Sequence, residues 1–376
     1  MMETKYMSQQ KHKRVIISGG GTGGHIFPAI SVANALRRMD PEIEILFVGA
    51  KGRMEMEKVP AAGYKIVGLP VAGFYRSFTV KNFSVLFKLI NSLFLAGKVI
   101  RDFRPDVVLG VGGYASGPIL RKAGNMGIPT LIQEQNSHAG ITNILLAKKA
   151  SAICVAYDDM EKYFPANKII KTGNPVRENF DNLEKLRDEA FAFFNLKKGS
   201  PVVLVLGGSL GAGTINKSLS MHLNEMADSG CQWLWQTGKN YFENVNAIVS
   251  LLFTKNISVQ SFIDRMDYAF AAADIIVSRA GAGTISELCL VGKPAILVPS
   301  PNVAEDHQTK NALALSSKNA AVMIKDDEAE ERLVLEAIKL IKNKKERALL
   351  SENIKKLADR DADIRIAKEV LKLAGK

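Results

Sequence analysis

Short apolar runs recur along the chain, and between them lie segments in which apolar residues return every three or four positions. The first pattern is typical of buried β-strands and the second of α-helices that pack on a sheet. Alternation of the two predicts an α/β fold of parallel sheets with helices on both faces. The predicted strands are Arg14–Ser18, Glu44–Val48, Asp106–Val111, Thr130–Gln133, Ile153–Val155, Val202–Leu206, Trp233–Gln236, Ile257–Gln260, Ile275–Ser278 and Ala295–Val298. The predicted helices include Ile30–Met39, Ile141–Lys149, Thr214–Met226 and much of the tail from Glu328 to Lys376.

The strand and helix pattern restarts after Gly173-Asn174-Pro175, which we interpret as the join between two doubly wound domains. A chain of 376 residues is long enough for about two domains. We therefore predict an N-terminal domain of residues 1–175 and a C-terminal domain of residues 176–376, which face each other across a cleft. The final helix is expected either to stay with the second domain or to pack back on the first.

The composition narrows the class of protein. Hydrophobic residues make up 47% of the chain and charged residues 23%, which excludes a disordered or fibrous protein. The three cysteines, Cys154, Cys231 and Cys289, are widely spaced, which argues against a disulfide framework and against a cysteine zinc site. No apolar run precedes the first strand, so we expect no cleaved signal peptide.

The positive charge lies almost wholly in the first half of the chain. The formal net charge is +12, and residues 1–175 hold 23 basic and 12 acidic residues, a net of +11. A one-sided basic surface suits a polyanion, either nucleic acid or an anionic membrane leaflet, although solubility alone is the plainer explanation. Residues 83–96 form the longest apolar stretch, which is shorter than the roughly 20 residues that span a bilayer. With basic flanks, it fits either a helix resting on a membrane or an ordinary buried helix with a solvated edge.

A glycine-rich loop follows the first strand and carries the first candidate for catalysis. It runs from Gly19 to His25, before a helix expected to begin near Phe27-Pro28. Glycines let the backbone approach a ligand closely, and a helix start offers N–H groups to an anion. His25 lies at the end of this loop, and an ordinary histidine pKa of about 6.5 suits a general base. The alternative is an exposed or helix-capping histidine.

Four further loops follow predicted strands. Residues 110–118 and 133–140 are dense in small and hydrogen-bonding residues, which suits a sugar acceptor, although each also fits a structural turn. Residues 207–213 and 278–287 each open a helix in the second half. Glu287, placed in the first turn of its helix, suits the two hydroxyls of a ribose or simply stabilises the helix dipole. No spacing of ligand residues predicts a metal site.

Seven motifs occur in a fixed order between about Val15 and Ala314, and together they resemble one family. They are GGGTGGHIFPA, GVGGYASGP, EQNSHAGITN, TGNPVR, GGSLGA, RAGAGTISE and EDHQTKNA. The set is similar to the MurG family, the undecaprenyldiphospho-muramoylpentapeptide β-N-acetylglucosaminyltransferases of bacterial peptidoglycan synthesis. The resemblance implies a GT-B fold, meaning two Rossmann-like domains.

The same resemblance implies an activity and partners. N-acetylglucosamine would pass from UDP-N-acetylglucosamine to the 4-hydroxyl of the polyprenyl-diphosphate-linked muramoylpentapeptide (lipid I to lipid II), with inversion at the anomeric carbon. The N-terminal domain would handle this lipid acceptor and contact the anionic membrane surface, as a peripheral protein of the cytoplasmic face. The C-terminal domain would bind the UDP-sugar. No cofactor, metal or nucleic-acid partner is predicted.

Carried over motif by motif, the resemblance also implies roles for individual residues. His25 is the candidate base, and Tyr114 and Glu134 are placed on the acceptor side. Donor contacts are implied for the sugar (Thr22, Gly23, Gly24, Asn136), the diphosphate (Arg177, Ser209), the uracil (the backbone of Ile263), the diphosphate and ribose together (Ala282, Gly283, Thr284, Ile285, Ser286, Glu287) and the donor generally (Gln308). Two positions depart from the family pattern, since Gln133 stands where histidine is frequent and Gly283 where a larger apolar residue occurs.

Other functions fit parts of the pattern. A sugar-nucleotide epimerase on the same architecture would convert the donor without an acceptor. A membrane-recruited binding subunit would hold the donor without turnover. A NAD-dependent dehydrogenase is disfavoured, because no acidic residue follows the second strand at the position that binds the nicotinamide cofactor's ribose.

Overall fold

The computed structural model describes residues 12–71, 81–176, 180, 182–208, 210–252, 254–302 and 306–375. The chain divides into two compact units, residues 1–176 with 361–376, and residues 177–360. Each unit contains one parallel sheet with helices on both faces. Because a parallel sheet is buried on both faces, its central strands are mainly apolar, as the sequence pattern indicated.

The first unit contains a seven-stranded sheet in the order β3-β2-β1-β4-β5-β6-β7. Its strands are β1 (Arg14–Ser18), β2 (Glu44–Ala50), β3 (Lys65–Leu69), β4 (Val107–Gly110), β5 (Thr130–Glu134), β6 (Ala152–Val155) and β7 (Ile169–Lys171). Its connecting helices are α1 (Gly23–Met39), α2 (Glu55–Ala61), α3 (Lys81–Phe103), α4 (Ser116–Asn125) and α5 (Ile141–Ala147). Successive strand residues face opposite sides, so Val15 and Ile17 pack with α1, whereas Ile16 packs with α3, α4 and α5.

The second unit contains a six-stranded sheet in the order β10-β9-β8-β11-β12-β13. Its strands are β8 (Val202–Leu206), β9 (Gln232–Gln236), β10 (Ile257–Gln260), β11 (Ile275–Ser278), β12 (Ala295–Leu297) and β13 (Val322–Met323). Its helices are α6 (Arg187–Phe193), α7 (Gly213–Met221), α8 (Leu223–Asp228), α9 (Phe242–Ser250), α10 (Met266–Ala272), α11 (Ala282–Val291), α12 (His307–Ser316), α13 (Ala329–Lys342) and α14 (Lys344–Lys355). Trp233 and Trp235 of β9 are fully buried on the face that α7 and α13 cover.

The last helix, α15 (Ala362–Ala374), belongs to the first unit. Ile366 and Val370 are buried in the same cluster as α1. The Arg365 guanidinium donates to the Thr172 carbonyl through Nε at 3.0 Å and through Nη2 at 2.7 Å. The last helix, α15, therefore forms part of the hydrophobic core of the first unit, together with α1.

The main differences between the predicted elements and the structure concern two helices and three strands. Helix α1 begins at Gly23, with Thr22 extended at its N-cap, so Pro28 lies inside the helix rather than at its start. The predicted helix 214–226 is two helices, because the backbone of His222 (φ −117°, ψ 32°) interrupts it. Strands β3, β7 and β13 were not predicted, and most of their residues are only partly buried.

Candidate functional site

Two glycine loops of the first unit pack directly against each other at the carboxyl ends of the neighbouring strands β1 and β4. A β-carbon at Gly113, which has a φ of +85°, would lie 2.3 Å from the Gly20 carbonyl oxygen. Only glycine therefore fits at this position, both for conformation and for space. A third loop, after β5, joins them through Gln135, whose Nε2 donates to the Val111 carbonyl at 2.7 Å.

His25 lies in the first turn of α1 and is half-buried. Its Nδ1 lies 3.2 Å from the Gly20 carbonyl oxygen and 3.2 Å from the Thr22 hydroxyl oxygen. Burial lowers the pKa of the imidazole, while the Glu134 charge, the Gly20 hydrogen bond and the Glu55 charge oppose that shift. A neutral ring that donates its Nδ1 proton to Gly20 keeps a basic lone pair on Nε2.

Glu134, predicted on the acceptor side, is buried at the end of β5 and organises the loop that follows. Its Oε1 accepts the amide N–H of Asn136 at 3.0 Å and the Asn136 side-chain Nδ2 at 3.2 Å. Its Oε2 accepts the Gly140 N–H at 3.0 Å and Asn143 Nδ2 at 2.8 Å. Both carboxylate oxygens are thus engaged by the protein itself, as is the side chain of Asn136.

Side chains that sequence reasoning missed lie beneath these loops. Glu55, at the start of α2, is fully buried, and backbone N–H groups donate to both of its carboxylate oxygens. Nothing in the sequence indicated this burial, because an acidic residue in the first turn of a helix is common. Gln133 is also buried, and its Nε2 donates to Asn174 Oδ1 at 3.3 Å. Gln133, which stands where histidine is frequent in the family, is therefore an internal residue of the first unit. Tyr114, by contrast, is 60% exposed.

The second unit has an equivalent pair of loops, after the neighbouring strands β8 and β11. They lead into α7 at Gly213 and α11 at Ala282. Arg279 ties the two together, because it pairs with Asp326, and Asp326 also accepts the Thr214 hydroxyl at 2.9 Å. The first N–H groups of any α-helix lack partners within the helix, so two helix N-termini are presented at one sheet edge.

The segment 282–287 divides into buried and accessible positions. The side chains of Ala282 and Ile285 are buried in the core, so only their backbone can face a ligand. A β-carbon at Gly283 would meet no atom within 4 Å, which leaves open space beside the helix start. Glu287 is half-exposed and lies in the second turn of α11, not the first as predicted, because α11 begins at Ala282.

The other predicted donor contacts lie nearby in the same unit or outside the described residues. The Ile263 amide N–H donates to Gln236 Oε1 at 2.9 Å, so a neighbouring side chain already uses it. Gln308, in the first turn of α12, accepts the Ser300 N–H through Oε1 at 2.9 Å. Arg177 and Ser209 fall outside the described residues. Within the described ranges, no group of three metal-ligating side chains is positioned to hold an ion.

Comparison with known proteins gives the family. Residues 15–155 match the glycosyltransferase family 28 N-terminal domain, and residues 202–368 match the C-terminal domain of that family. A protein of Parabacteroides distasonis is 56% identical over 96% of this chain and 99% of its own length. One of Porphyromonas gingivalis is 59% identical over 96% and 95%, respectively. Both are named UDP-N-acetylglucosamine–N-acetylmuramyl-(pentapeptide) pyrophosphoryl-undecaprenol N-acetylglucosamine transferase. The chain belongs to this transferase family, as its motifs predicted.

Solved structures agree on the architecture. The crystal structure of Acinetobacter baumannii MurG has a TM-score of 0.73 at 27% identity and covers 96% of this chain and 99% of its own. The UDP-GlcNAc 2-epimerase of Neisseria meningitidis has a TM-score of 0.67 at 17% identity, covering 96% and 100%, which shows a shared fold alone. The two doubly wound parallel sheets thus confirm the predicted α/β fold of the GT-B class.

Proposed function

We propose that the protein transfers N-acetylglucosamine from UDP-N-acetylglucosamine to the muramoylpentapeptide carried on a polyprenyl diphosphate, the step from lipid I to lipid II. The observation that carries this proposal is the 56% identity to a transferase of that name over nearly the whole of both chains. The 4-hydroxyl is the proposed acceptor atom, and a single displacement inverts the anomeric carbon.

The second unit is the proposed site of the UDP portion of the donor. Backbone N–H groups at the starts of α7 and α11 suit a diphosphate, and the open space beside Gly283 lets it approach. Glu287, one turn further along α11, would accept hydrogen bonds from the ribose hydroxyls. Arg177, Ser209 and Gln308 remain proposed donor contacts, and Ile263 would contact uracil through backbone atoms other than its amide N–H.

The first unit is the proposed acceptor unit and supplies the base. His25 Nε2 would take the proton of the 4-hydroxyl as that oxygen bonds to the anomeric carbon. In the same displacement the bond from this carbon to the diphosphate oxygen breaks, and UDP leaves as an anion stabilised by the helix N-termini. Thr22, Gly23, Gly24 and Asn136 would contact the transferred sugar, and Tyr114, which is 60% exposed, would contact the acceptor.

The first unit also carries the features of a membrane-docking surface. Phe87, Ile90 and Phe94 form a stripe on α3 and are 74%, 58% and 68% exposed, while Ile141 and Leu145 of α5 are 71% and 73% exposed. Both helices cover the same face of the sheet. Exposed Lys88 and Lys98 lie on α3, and exposed Lys148 directly follows α5. No helix in the described residues is long and apolar enough to cross a bilayer.

Apolar side chains beside lysines suit the interface of an anionic leaflet. We therefore propose peripheral attachment to the cytoplasmic face of the membrane through this surface. Of the two alternatives open for the 83–96 segment, the exposed stripe favours the interfacial one, since the solvated edge of a buried helix is normally polar, whereas Phe87, Ile90 and Phe94 are apolar.

Incubation of the purified chain with labelled UDP-N-acetylglucosamine and a lipid I analogue tests the reaction. We expect label in the lipid product, and His25→Ala should lower kcat by about 10²- to 10⁴-fold, the usual contribution of a general base. Conversion of the donor without acceptor would instead indicate an epimerase. Donor binding without turnover would indicate a binding subunit. Wild-type turnover by His25→Ala would remove the base role alone.

A further inference from the structure

The carboxylate of Glu55 joins the second strand to the loop that carries His25. Its Oε1 accepts the Ala50 amide N–H at 2.8 Å, and its Oε2 accepts the Gly21 amide N–H at 3.1 Å. Ala50 ends β2, whereas Gly21 lies in the turn between β1 and α1. One side chain therefore fixes the glycine loop to a neighbouring strand.

The loop is shaped around this carboxylate. The Glu55 side chain is fully buried, and burial of a carboxylate is unfavourable unless donors compensate it. A β-carbon at Gly20 would lie 2.1 Å from Glu55 Oε1, and Gly21 has a φ of +87°. The glycines thus allow both the close approach and the left-handed turn that present the Gly21 N–H to Oε2.

We propose that Glu55 is a positioning residue for glycosyl transfer, which holds the Gly19–Thr22 loop so that His25 presents Nε2 to the acceptor hydroxyl. The contacts run from Glu55 to Gly21 and, through the adjacent Gly20 carbonyl, to His25 Nδ1. This inference rests on the proposed base role of His25. It differs from a purely structural role, because the Glu55 charge also acts on the imidazole.

The charges that act on His25 in the described part of the chain are Glu134, at the end of β5, and Glu55, at the start of α2. Both raise the pKa of His25 against the lowering caused by burial. Removal of the Glu55 charge alone should therefore lower the pKa further. The acid limb of kcat/KM, where the base becomes protonated, should move to lower pH.

Glu55→Gln tests the proposal by removing the charge and one acceptor. We expect kcat to fall roughly tenfold to hundredfold, which corresponds to the loss of a hydrogen bond to a charged group, with the KM for UDP-N-acetylglucosamine little changed. Asp106→Asn is the matched control. Asp106 also accepts a backbone N–H, that of Arg14 at 2.8 Å, but at the opposite end of β1. The Asp106→Asn variant should keep the acid limb of kcat/KM at its wild-type pH.

A double-mutant cycle with His25→Ala decides whether Glu55 acts through His25. We expect Glu55→Gln to add little to the loss of kcat in the His25→Ala background. An equal loss in both backgrounds, or an unshifted acid limb in a folded Glu55→Gln protein, would overturn the proposal. Wild-type turnover by His25→Ala would instead refute the base role itself, so the two failures are distinguishable.

Glu55→Asp provides a second variant if Glu55→Gln does not fold. It keeps the charge but is one methylene shorter, so it cannot span from Ala50 to Gly21. We expect a lower kcat with the acid limb near its wild-type position. Wild-type kcat in Glu55→Asp would show that the reach of the carboxylate is irrelevant and would overturn the positioning role.

Discussion

His25 is the central residue of the chemistry proposed for the first unit. Its Nδ1 is occupied by the Gly20 carbonyl and the Thr22 hydroxyl. Two buried carboxylates, Glu55 and Glu134, each hold one of the surrounding loops by accepting backbone N–H groups. The sequence indicated the histidine because it stands at the end of a glycine-rich loop. It did not indicate that Glu55 is fully buried, or that the Glu134 carboxylate accepts hydrogen bonds from the loop that follows it.

The pH dependence of the reaction follows from the environment of His25. Burial lowers the pKa of the imidazole, so the base should stay unprotonated below the ordinary histidine value of about 6.5. Since the neutral form is active, kcat/KM should hold constant through neutral pH and fall only as pH drops through this lowered pKa. A pH–rate profile of kcat/KM measures this pKa. An acid limb above the ordinary value would contradict the predicted shift.

Glu287 provides a prediction for donor binding. Glu287→Ala should weaken UDP-N-acetylglucosamine binding by about tenfold to hundredfold, since a carboxylate that accepts hydroxyl hydrogen bonds contributes roughly 1.5–3 kcal/mol. Isothermal titration calorimetry measures the affinity. Glu225→Ala, at an exposed position of α8 in the same unit, should leave it unchanged. Unchanged affinity in Glu287→Ala would refute the ribose contact.

At the scale of elements, the helix N-termini that follow the sheet strands provide the candidate ligand sites of both units. The first unit has, in addition, an exposed apolar face on helix α3. The same strand–loop–helix arrangement occurs after β1 in the first unit and after β8 and β11 in the second. Parallel strands place these loops at one edge of each sheet. One side of helix α3 packs on the sheet through Ala96 and Ile100, while two aromatic side chains, Phe87 and Phe94, stay exposed.

The exposed stripe of α3 predicts membrane binding. Phe94→Glu should reduce binding to phosphatidylglycerol-containing vesicles by at least about tenfold, since the insertion of one phenylalanine contributes roughly 1.5–3 kcal/mol. Vesicle co-sedimentation measures the bound fraction. Leu335→Glu, at a 52% exposed leucine of α13 in the second unit, is the matched control and should bind as wild type. Equal binding of all three proteins would argue against this surface.

At the scale of the whole molecule, the chain returns to its first unit with its last helix. Helix α15 follows the entire second unit in sequence, yet Ile366, Ala367 and Val370 are buried with α1. An amphipathic helix needs an apolar face to cover, and the first unit supplies it. The sequence left both destinations for this helix open, because its periodicity is the same wherever it packs.

The stability of the first unit should depend on that final helix. Ile366→Ala should lower the free energy of unfolding of the first unit by about 2–4 kcal/mol, because it leaves a cavity at a fully buried position. Urea unfolding followed by circular dichroism measures this. Lys368→Ala, at an exposed position of α15, should change it by less than about 0.5 kcal/mol. Equal effects would show that α15 adds little to the first core.

The sequence by itself determined the class of fold, most strands of both sheets, and the loops that carry the candidate chemistry. Strands such as Arg14–Ser18 and Val202–Leu206 agree with the structure to the residue, because buried parallel strands contain continuous apolar runs. The ordered glycine motifs also determined the family. All of these are local patterns that a linear sequence records directly.

Tertiary structure alone decided which polar groups meet. Glu55 lies 34 residues from Gly21, and Arg365 lies 193 residues from Thr172, so neither pairing leaves a local pattern. Burial is likewise a property of the packed unit. Glu55 and Glu134 are buried, whereas Glu287 is half-exposed, although all three are glutamates in the sequence. Only the atoms packed around each side chain make this difference.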